Sequence, residues 1–400
     1  MKIGIIKEGK IPRDTRAALS PEQCKNIQSQ YPSIQIIVQP CSYRCFKDEE
    51  YSNMGIELSE DLASCDILLG IKEVPIPQLI SGKTYLFFSH TIKKANAQSK
   101  LLKALLEKKV RMVDYETLCN PAGERVLAFG KWAGIVGAHN GIWTYSKRTK
   151  KFTLPRMYQS FDFETVKKTY SDISLGNIKI VLTGTGRVSS GAAEVLDAMK
   201  IQRVDAQSFL TETYSNPVYT QLNSAQMYAR KADNGFDRNE FHRNPALYKS
   251  IFAPYTEVSD IMINGIYWNK EAPTFFSAED MQKPEFKIKT IADITCDVMP
   301  FSSIPSTLYA TTINEPVFGY NPFTKEEEAP YSAHVIDMMT IDNLPNELPR
   351  DASVDFGNQL INHVLQELLL PQSEMIDKAT ICAEGKLNEP YEYLTDYALG

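Results

Sequence analysis

Residues 178–199, IKIVLTGTGRVSSGAAEVLDAM, limit what this chain can fold into more than any other stretch. A short apolar run, Ile178 to Leu182, reads as a buried parallel strand. Gly184, Gly186 and Gly191 follow, and Ala192, Val195, Leu196 and Met199 then recur at helical spacing. Strand, glycine turn and helix together bring backbone N–H groups and the positive end of a helix to a pyrophosphate. Gly184, Gly186, Arg187 and Val188 are therefore the candidate dinucleotide-binding residues. The spacing departs from G-x-G-x-x-G, because Ser189 stands at the third position and the next glycine is Gly191. An ordinary strand–turn–helix, with glycines serving only the turn, is the competing reading. The motif lies near the middle of 400 residues. A central nucleotide domain then leaves two flanks, which fold as one domain across a cleft where cofactor and substrate meet.

Composition narrows the class. A hydrophobic content of 43% and a charged content of 23% are those of a globular protein, and the net charge of −6 gives no basic stripe for nucleic acid. The N-terminal apolar run is too short for a signal peptide, and no stretch approaches the length of a membrane span. Seven scattered cysteines without C-x-x-C pairs point to reduced thiols and a cytoplasmic location. Five histidines, none at metal-ligand spacing, give no expectation of a metal.

The first 135 residues alternate strand and helix: KIGII, IQIIV (34–38), DILLGI (66–71), TYLFF (84–88) and VRMVDY (110–115) are strands. Ser20, Pro21 and Gln23 form a capped helix start, and 96–108 is a helix. A second helix spans 133–147, and strands resume at 260–268 and 290–298. The stretch 211–257 reads as an insertion of short helices and loops at a domain edge, and 354–370 as a helix returning to the first domain. The expected fold is α/β, with two Rossmann-like domains of parallel sheet separated by a cleft and the first domain discontinuous. Residues 1–135 with 340–400 form the substrate domain, and 136–339 the dinucleotide domain.

Several strands of the first domain end in ionisable residues: Lys7-Glu8, Lys72-Glu73, Ser89-His90 and Glu116. In open α/β sheets ligands bind beyond the carboxyl ends of the strands. Lys, His and Glu delivered to one edge suit proton transfer. The competing reading is a set of solvated surface charges. Arg16 and Arg125 offer guanidinium forks for carboxylates, or structural salt bridges.

The segments KEGKIPRDTRAALSP, GIKEVP, FFSHTIKKANAQSKLLKALLEKKVRMVDYE, RVLAFGKWAGIVGA, APYTEVSDIMINGIYWNKEAPTFF and IDNLPNELPRDAS together resemble the lysine-forming saccharopine dehydrogenases. Within that family they are most like the lysine–2-oxoglutarate reductase domain of the bifunctional animal and plant enzymes. The alanine dehydrogenases and the transhydrogenase cofactor subunit share the fold. The resemblance implies that Lys72 and His90 are the acid–base pair. It also implies that Arg16 and Arg125 bind substrate carboxylates, that Glu73 and Glu116 tune the pair, and that Asp342 lies near the nicotinamide. The implied reaction joins lysine and 2-oxoglutarate into saccharopine by reductive amination, or reverses it. The alternatives are an alanine-type dehydrogenase using ammonia and an inactive NAD(P)-binding sensor.

Cofactor choice turns on Asp205, about 20 residues past the glycine turn, where an acidic residue accepts from a ribose 2′-OH and favours NAD. Arg187 and Arg203 stand near enough in sequence to accept a 2′-phosphate, and the animal and plant reductases use NADP, so NADP stays open.

Overall fold

The computed structural model describes residues 1–94 and 96–399. The chain divides into two compact units, Met1–Phe129 with Pro349–Gly400, and Gly130–Leu348. The first unit opens with strands β1 (Lys2–Ile5), β2 (Gln35–Val38), β3 (Glu57–Leu58), β4 (Ile67–Leu69), β5 (Thr84–Phe87) and β6 (Arg111–Asp114). The second holds β7 (Lys179–Thr183), β8 (Gln202–Arg203), β9 (Val218–Leu222), β10 (Tyr228–Arg230), β11 (Tyr248–Ser250), β12 (Ile261–Asn264), β13 (Thr290–Asp293), β14 (Val317–Asn321), β15 (Glu326–Glu328) and β16 (Ile336–Met339). The first unit then gains β17 (Thr380–Ala383) and β18 (Lys386–Leu387).

The first sheet runs β18-β17-β6-β5-β4-β1-β2-β3, with β1 to β6 parallel. β17 joins antiparallel to β6, and β18 antiparallel to β17. The period-2 alternation of strands divides its apolar residues between two cores. Leu69, Leu86 and Val113 pack with Leu19, Tyr51 and Phe356 on one face. Leu68, Tyr85, Phe87 and Met112 pack with Leu105 on the other. The helix Pro21–Gln30 starts with the capping box read from the sequence: Gln23 N donates to Ser20 Oγ and Ser20 N to Gln23 Oε1. Such a cap is worth about 1 kcal/mol. The C-terminal segment is tied to this unit by its helix Pro349–Leu360, whose Phe356 ring stacks on Phe129 at 4.7 Å. Gln23 Nε2 donates to Val354 O at 2.8 Å.

The second sheet runs β15-β14-β16-β13-β12-β7-β9-β8, and its strands are parallel except β14 and β15. Against it lies the helix Gly130–Thr149. A Cβ on Gly134 would lie 1.8 Å from the carbonyl oxygen of Val188, so only glycine admits the next helix, Arg187–Ala198, at this distance.

The reading of 211–257 as an edge insertion is corrected by β9, which lies inside the sheet between β7 and β8. The rest of that stretch is not loose. Tyr228, Phe241, Tyr248 and Phe252 pack into the core with Phe275, and β10 pairs antiparallel with β11. Aromatic residues at irregular spacing supply this core, so no helical or strand period marks it. No described helix is long and apolar enough to cross a membrane.

Candidate active site

In the first unit, β1, β4, β5 and β6 are parallel, so their carboxyl ends share one edge of the sheet. Lys72 and Glu73 follow β4, His90 follows β5, and Glu116 follows β6. His90 Nδ1 lies 2.7 Å from Glu73 Oε1. Lys10 Nζ lies 2.8 Å from Glu73 Oε2. Burial would raise the Glu73 carboxyl, but the His90 and Lys10 contacts outweigh it and hold it at about 2. His90 sits in the left-handed region at φ 55° and presents its ring beside Phe88, with ring centroids 6.4 Å apart.

Glu116 Oε1 pairs with Lys93 at 3.0 Å and faces Arg125 at 3.9 Å. Its other oxygen is buried and accepts no hydrogen bond among the described residues. Arg125 donates from Nε to Leu127 O at 2.7 Å, lies over the Phe88 ring, and keeps its side chain 37% exposed. Arg16 is placed differently. Its Nε and one terminal nitrogen engage Asp14 at 2.9 and 2.5 Å, it lies over Phe129, and its side chain is 3% exposed. Of the two arginines, Arg125 is the more exposed.

Glu8, at the end of β1, is buried, and its two carboxylate oxygens accept the backbone N–H of Ile71 and Lys72 at 2.7 and 2.8 Å. It therefore ties down the turn that carries Lys72. Burial and the nearby Asp14 raise its carboxyl to about 8, against the pull of those two amides. The sequence marked Glu8 only as a charged strand end. Its partners lie more than sixty residues away, where no local pattern reaches.

In the second unit the glycine turn fits a dinucleotide. Gly184 has φ +91°, a conformation that favours glycine. A Cβ on Gly186 would meet nothing within 4 Å, which leaves an open approach to the backbone. Gly186 caps the 12-residue helix Arg187–Ala198 without a side-chain hydrogen bond, and the start of such a helix favours an anion. Ser189, at the departure from the glycine spacing, is fully buried. Its hydroxyl donates to Thr183 O at 2.7 Å and reaches Gly265 O at 3.2 Å, tying the turn to the ends of β7 and β12. Val188 is half-buried, and Arg187 is exposed at the helix start.

Asp205 lies elsewhere than the sequence reading requires. It follows β8, the edge strand, and caps the helix Ala206–Thr211 by accepting from the amides of Gln207 and Ser208. The strand beside the glycine turn is β9: Thr183 pairs with Leu222, and Gly184 N donates to Leu222 O at 2.8 Å. Asn223 follows directly and caps the next short helix. Asp342 is exposed in the turn after β16, on the same sheet edge as the glycine turn, and its amide donates to Thr311 O. Among the described residues no group of His, Cys, Asp and Glu could hold a metal ion.

Largely parallel sheets, with charged strand ends in one unit and a glycine turn in the other, are the elements of the alanine dehydrogenase fold. Residues 4–136 match the family described as alanine dehydrogenase/PNT, N-terminal domain. An L-alanine dehydrogenase structure superposes over 100% of both chains with a TM-score of 0.66 at 15% identity. Mouse mitochondrial alpha-aminoadipic semialdehyde synthase is 31% identical over 95% of this chain, which spans 46% of that protein's length. The chain thus spans about half the length of its animal and plant relatives. The lysine-forming, NAD(+) saccharopine dehydrogenase of Emericella nidulans is 26% identical, covering 91% of this chain and 92% of its own. The chain is thus similar to alpha-aminoadipic semialdehyde synthases and to lysine-forming saccharopine dehydrogenases, and its residues 4–136 carry the alanine dehydrogenase/PNT N-terminal domain.

Proposed function

We propose that this protein interconverts saccharopine with L-lysine and 2-oxoglutarate, using a nicotinamide cofactor. The observation that carries this reading is the set Lys72, Glu73, His90, Glu116 and Arg125 gathered on the carboxyl edge of one parallel sheet. Forming saccharopine requires that the ε-ammonium of lysine lose a proton, that its nitrogen attack the keto carbon, and that hydroxide leave from the carbinolamine as water. Lys72 takes the amine proton. His90 protonates the departing hydroxyl, and because Glu73 engages Nδ1, exchange runs through Nε2. Glu73 keeps its negative charge throughout and holds the ring orientation. Arg125 binds a substrate carboxylate, and the unpaired buried oxygen of Glu116 faces substrate nitrogen. When bound, the reduced nicotinamide supplies the hydride that turns the imine into a secondary amine. The turn at Gly184, Gly186, Arg187 and Val188 holds its pyrophosphate, and Asp342 stands toward its nicotinamide end.

The adenosine ribose is read by Asn223, not by Asp205. Strands lie about 4.8 Å apart, so β8 is about 10 Å outward of the glycine strand, whereas Asn223 leaves the sheet beside Gly184. Asn223 carries no charge to repel or attract a 2′-phosphate, so discrimination between NADH and NADPH is weak.

The test is oxidation of NADH and of NADPH with 2-oxoglutarate against lysine, ornithine and ammonia, and with pyruvate against ammonia. Turnover with lysine supports the reading. Turnover with ammonia and pyruvate in its place points to an alanine-type enzyme, and cofactor binding without turnover to a sensor.

A further inference from the structure

The end of β6 holds a buried carboxyl to which none of the proposed steps gives work. Asp114 is fully buried and pairs across the sheet with Phe87, the last residue of β5. Its Oδ2 accepts from the Ser89 hydroxyl and from the Ser89 amide, the latter at 3.2 Å. Its Oδ1 accepts the Glu116 amide at 2.8 Å. One carboxyl thus grips the turn after β5 and the turn after β6. The Ser89 hydroxyl extends the grip: it lies 2.8 Å from Thr91 Oγ1 and accepts the Thr91 amide at 3.2 Å. His90 is the residue between these two anchored neighbours, at φ 55°. A residue other than glycine is disfavoured in that region and persists only where its surroundings over-determine it. The hydrogen bonds of Asp114 and Ser89 provide that determination.

We infer that Asp114 is a positioning residue, whose two carboxylate oxygens lock the His90 and Glu116 turns together and so fix the imidazole that performs the acid–base step. The inference rests on the proposed role of His90. Burial raises the Asp114 carboxyl to about 6, while the Ser89 hydroxyl and the Glu116 amide favour its ionised form. The acceptor-only form is the one the geometry uses, since three donors converge on it.

The test uses Asp114→Asn, which keeps the shape but turns one acceptor into a donor facing N–H or O–H groups. Ser89→Ala, which removes only the bridging hydroxyl, serves beside it and carries the same test if the first variant does not fold. Each should lower kcat by about 10–100-fold, the equivalent of one charge-assisted hydrogen bond. NADH affinity, read by fluorescence titration, should change less than twofold. In a His90→Gln background either substitution should have little further effect, because it acts through the ring already lost. The ring signals of His90, assigned among five histidines by their loss in His90→Gln, should shift in Asp114→Asn. Full multiplication of the two losses, or unmoved His90 signals, would overturn the inference. Absence of wild-type turnover with lysine and 2-oxoglutarate would instead remove the functional reading, and the His90 signals would still decide the positioning role.

Discussion

The α-carbon of Gly191 faces the carbonyl oxygen of Lys131 so closely that a Cβ there would lie 2.0 Å from it. Gly191 therefore does for helix packing what the third glycine of the usual fingerprint does, two positions later, while Ser189 secures the turn itself.

Gly191→Ala should accordingly force apart the helices Gly130–Thr149 and Arg187–Ala198. Overpacking of this kind costs about 1–3 kcal/mol, and more where the obstacle is backbone, as here. Urea denaturation should show a lower midpoint at unchanged slope, and dinucleotide affinity should fall with it. An unchanged midpoint would mean that the helices separate without cost.

The strand-end residues were legible because a parallel strand is an apolar run, and its first polar neighbour marks the carboxyl end. Lys72, His90 and Glu116 stand out that way as strand-end residues, and the Ser20 capping box by the separate spacing of a serine three residues before a glutamine. β9 was not, because Val218–Leu222 mixes Thr and Gln into its run and lies in a stretch rich in polar and aromatic residues. Its place beside β7 comes from long-range pairing. The reading of Asp205 inherited that gap: counting residues past a glycine turn presumes that the next strand in sequence is the next in the sheet. Glu8 and Asp114 were visible as charges, but their burial and their partners on neighbouring strands were not.

Cofactor choice gives a direct check of the strand order. Asp205→Ala should leave the ratio of NADH to NADPH affinities unchanged, since Asp205 only caps the helix Ala206–Thr211. Asn223→Asp should place a negative charge beside the ribose and weaken NADPH selectively, by about tenfold or 1.4 kcal/mol. Fluorescence titration of both cofactors reads the ratio. A changed ratio in Asp205→Ala would return the ribose site to the edge strand.

Glu8 and Glu73 move stability with pH in opposite directions. The Glu73 carboxyl is held at about 2, below its ordinary 4.5. Its contribution is complete above about 4.5 and is lost as pH falls towards about 2. The Glu8 carboxyl stands at about 8, so the folded chain holds that proton more tightly than the unfolded one. Stability therefore declines as pH rises from about 4.5 to about 8, by at most about 1.4 kcal/mol per pH unit. Glu8→Gln should flatten the profile between pH 5 and 8, and Glu73→Gln should flatten it below 4.5; chemical denaturation at stepped pH separates the two. A Glu8→Gln profile as steep as the wild type would place the titration elsewhere.

The proposed acid–base pair is tested by its lack of additivity. His90→Gln should leave NADH affinity nearly intact, because His90 belongs to the unit that lacks the glycine turn. It should lower turnover by about 10²–10⁴-fold, the usual range for a general acid or base. Lys72→Met should lower turnover as well, and each single variant should lose one limb of the pH–rate profile. In the proposed reaction the two residues act on successive protons, so the double variant should lose far less than the product of the single losses. The comparison needs saturating lysine, 2-oxoglutarate and reduced cofactor, so that binding defects do not pass for chemical ones. Full activity in either single variant would move the chemistry away from the ends of β4 and β5.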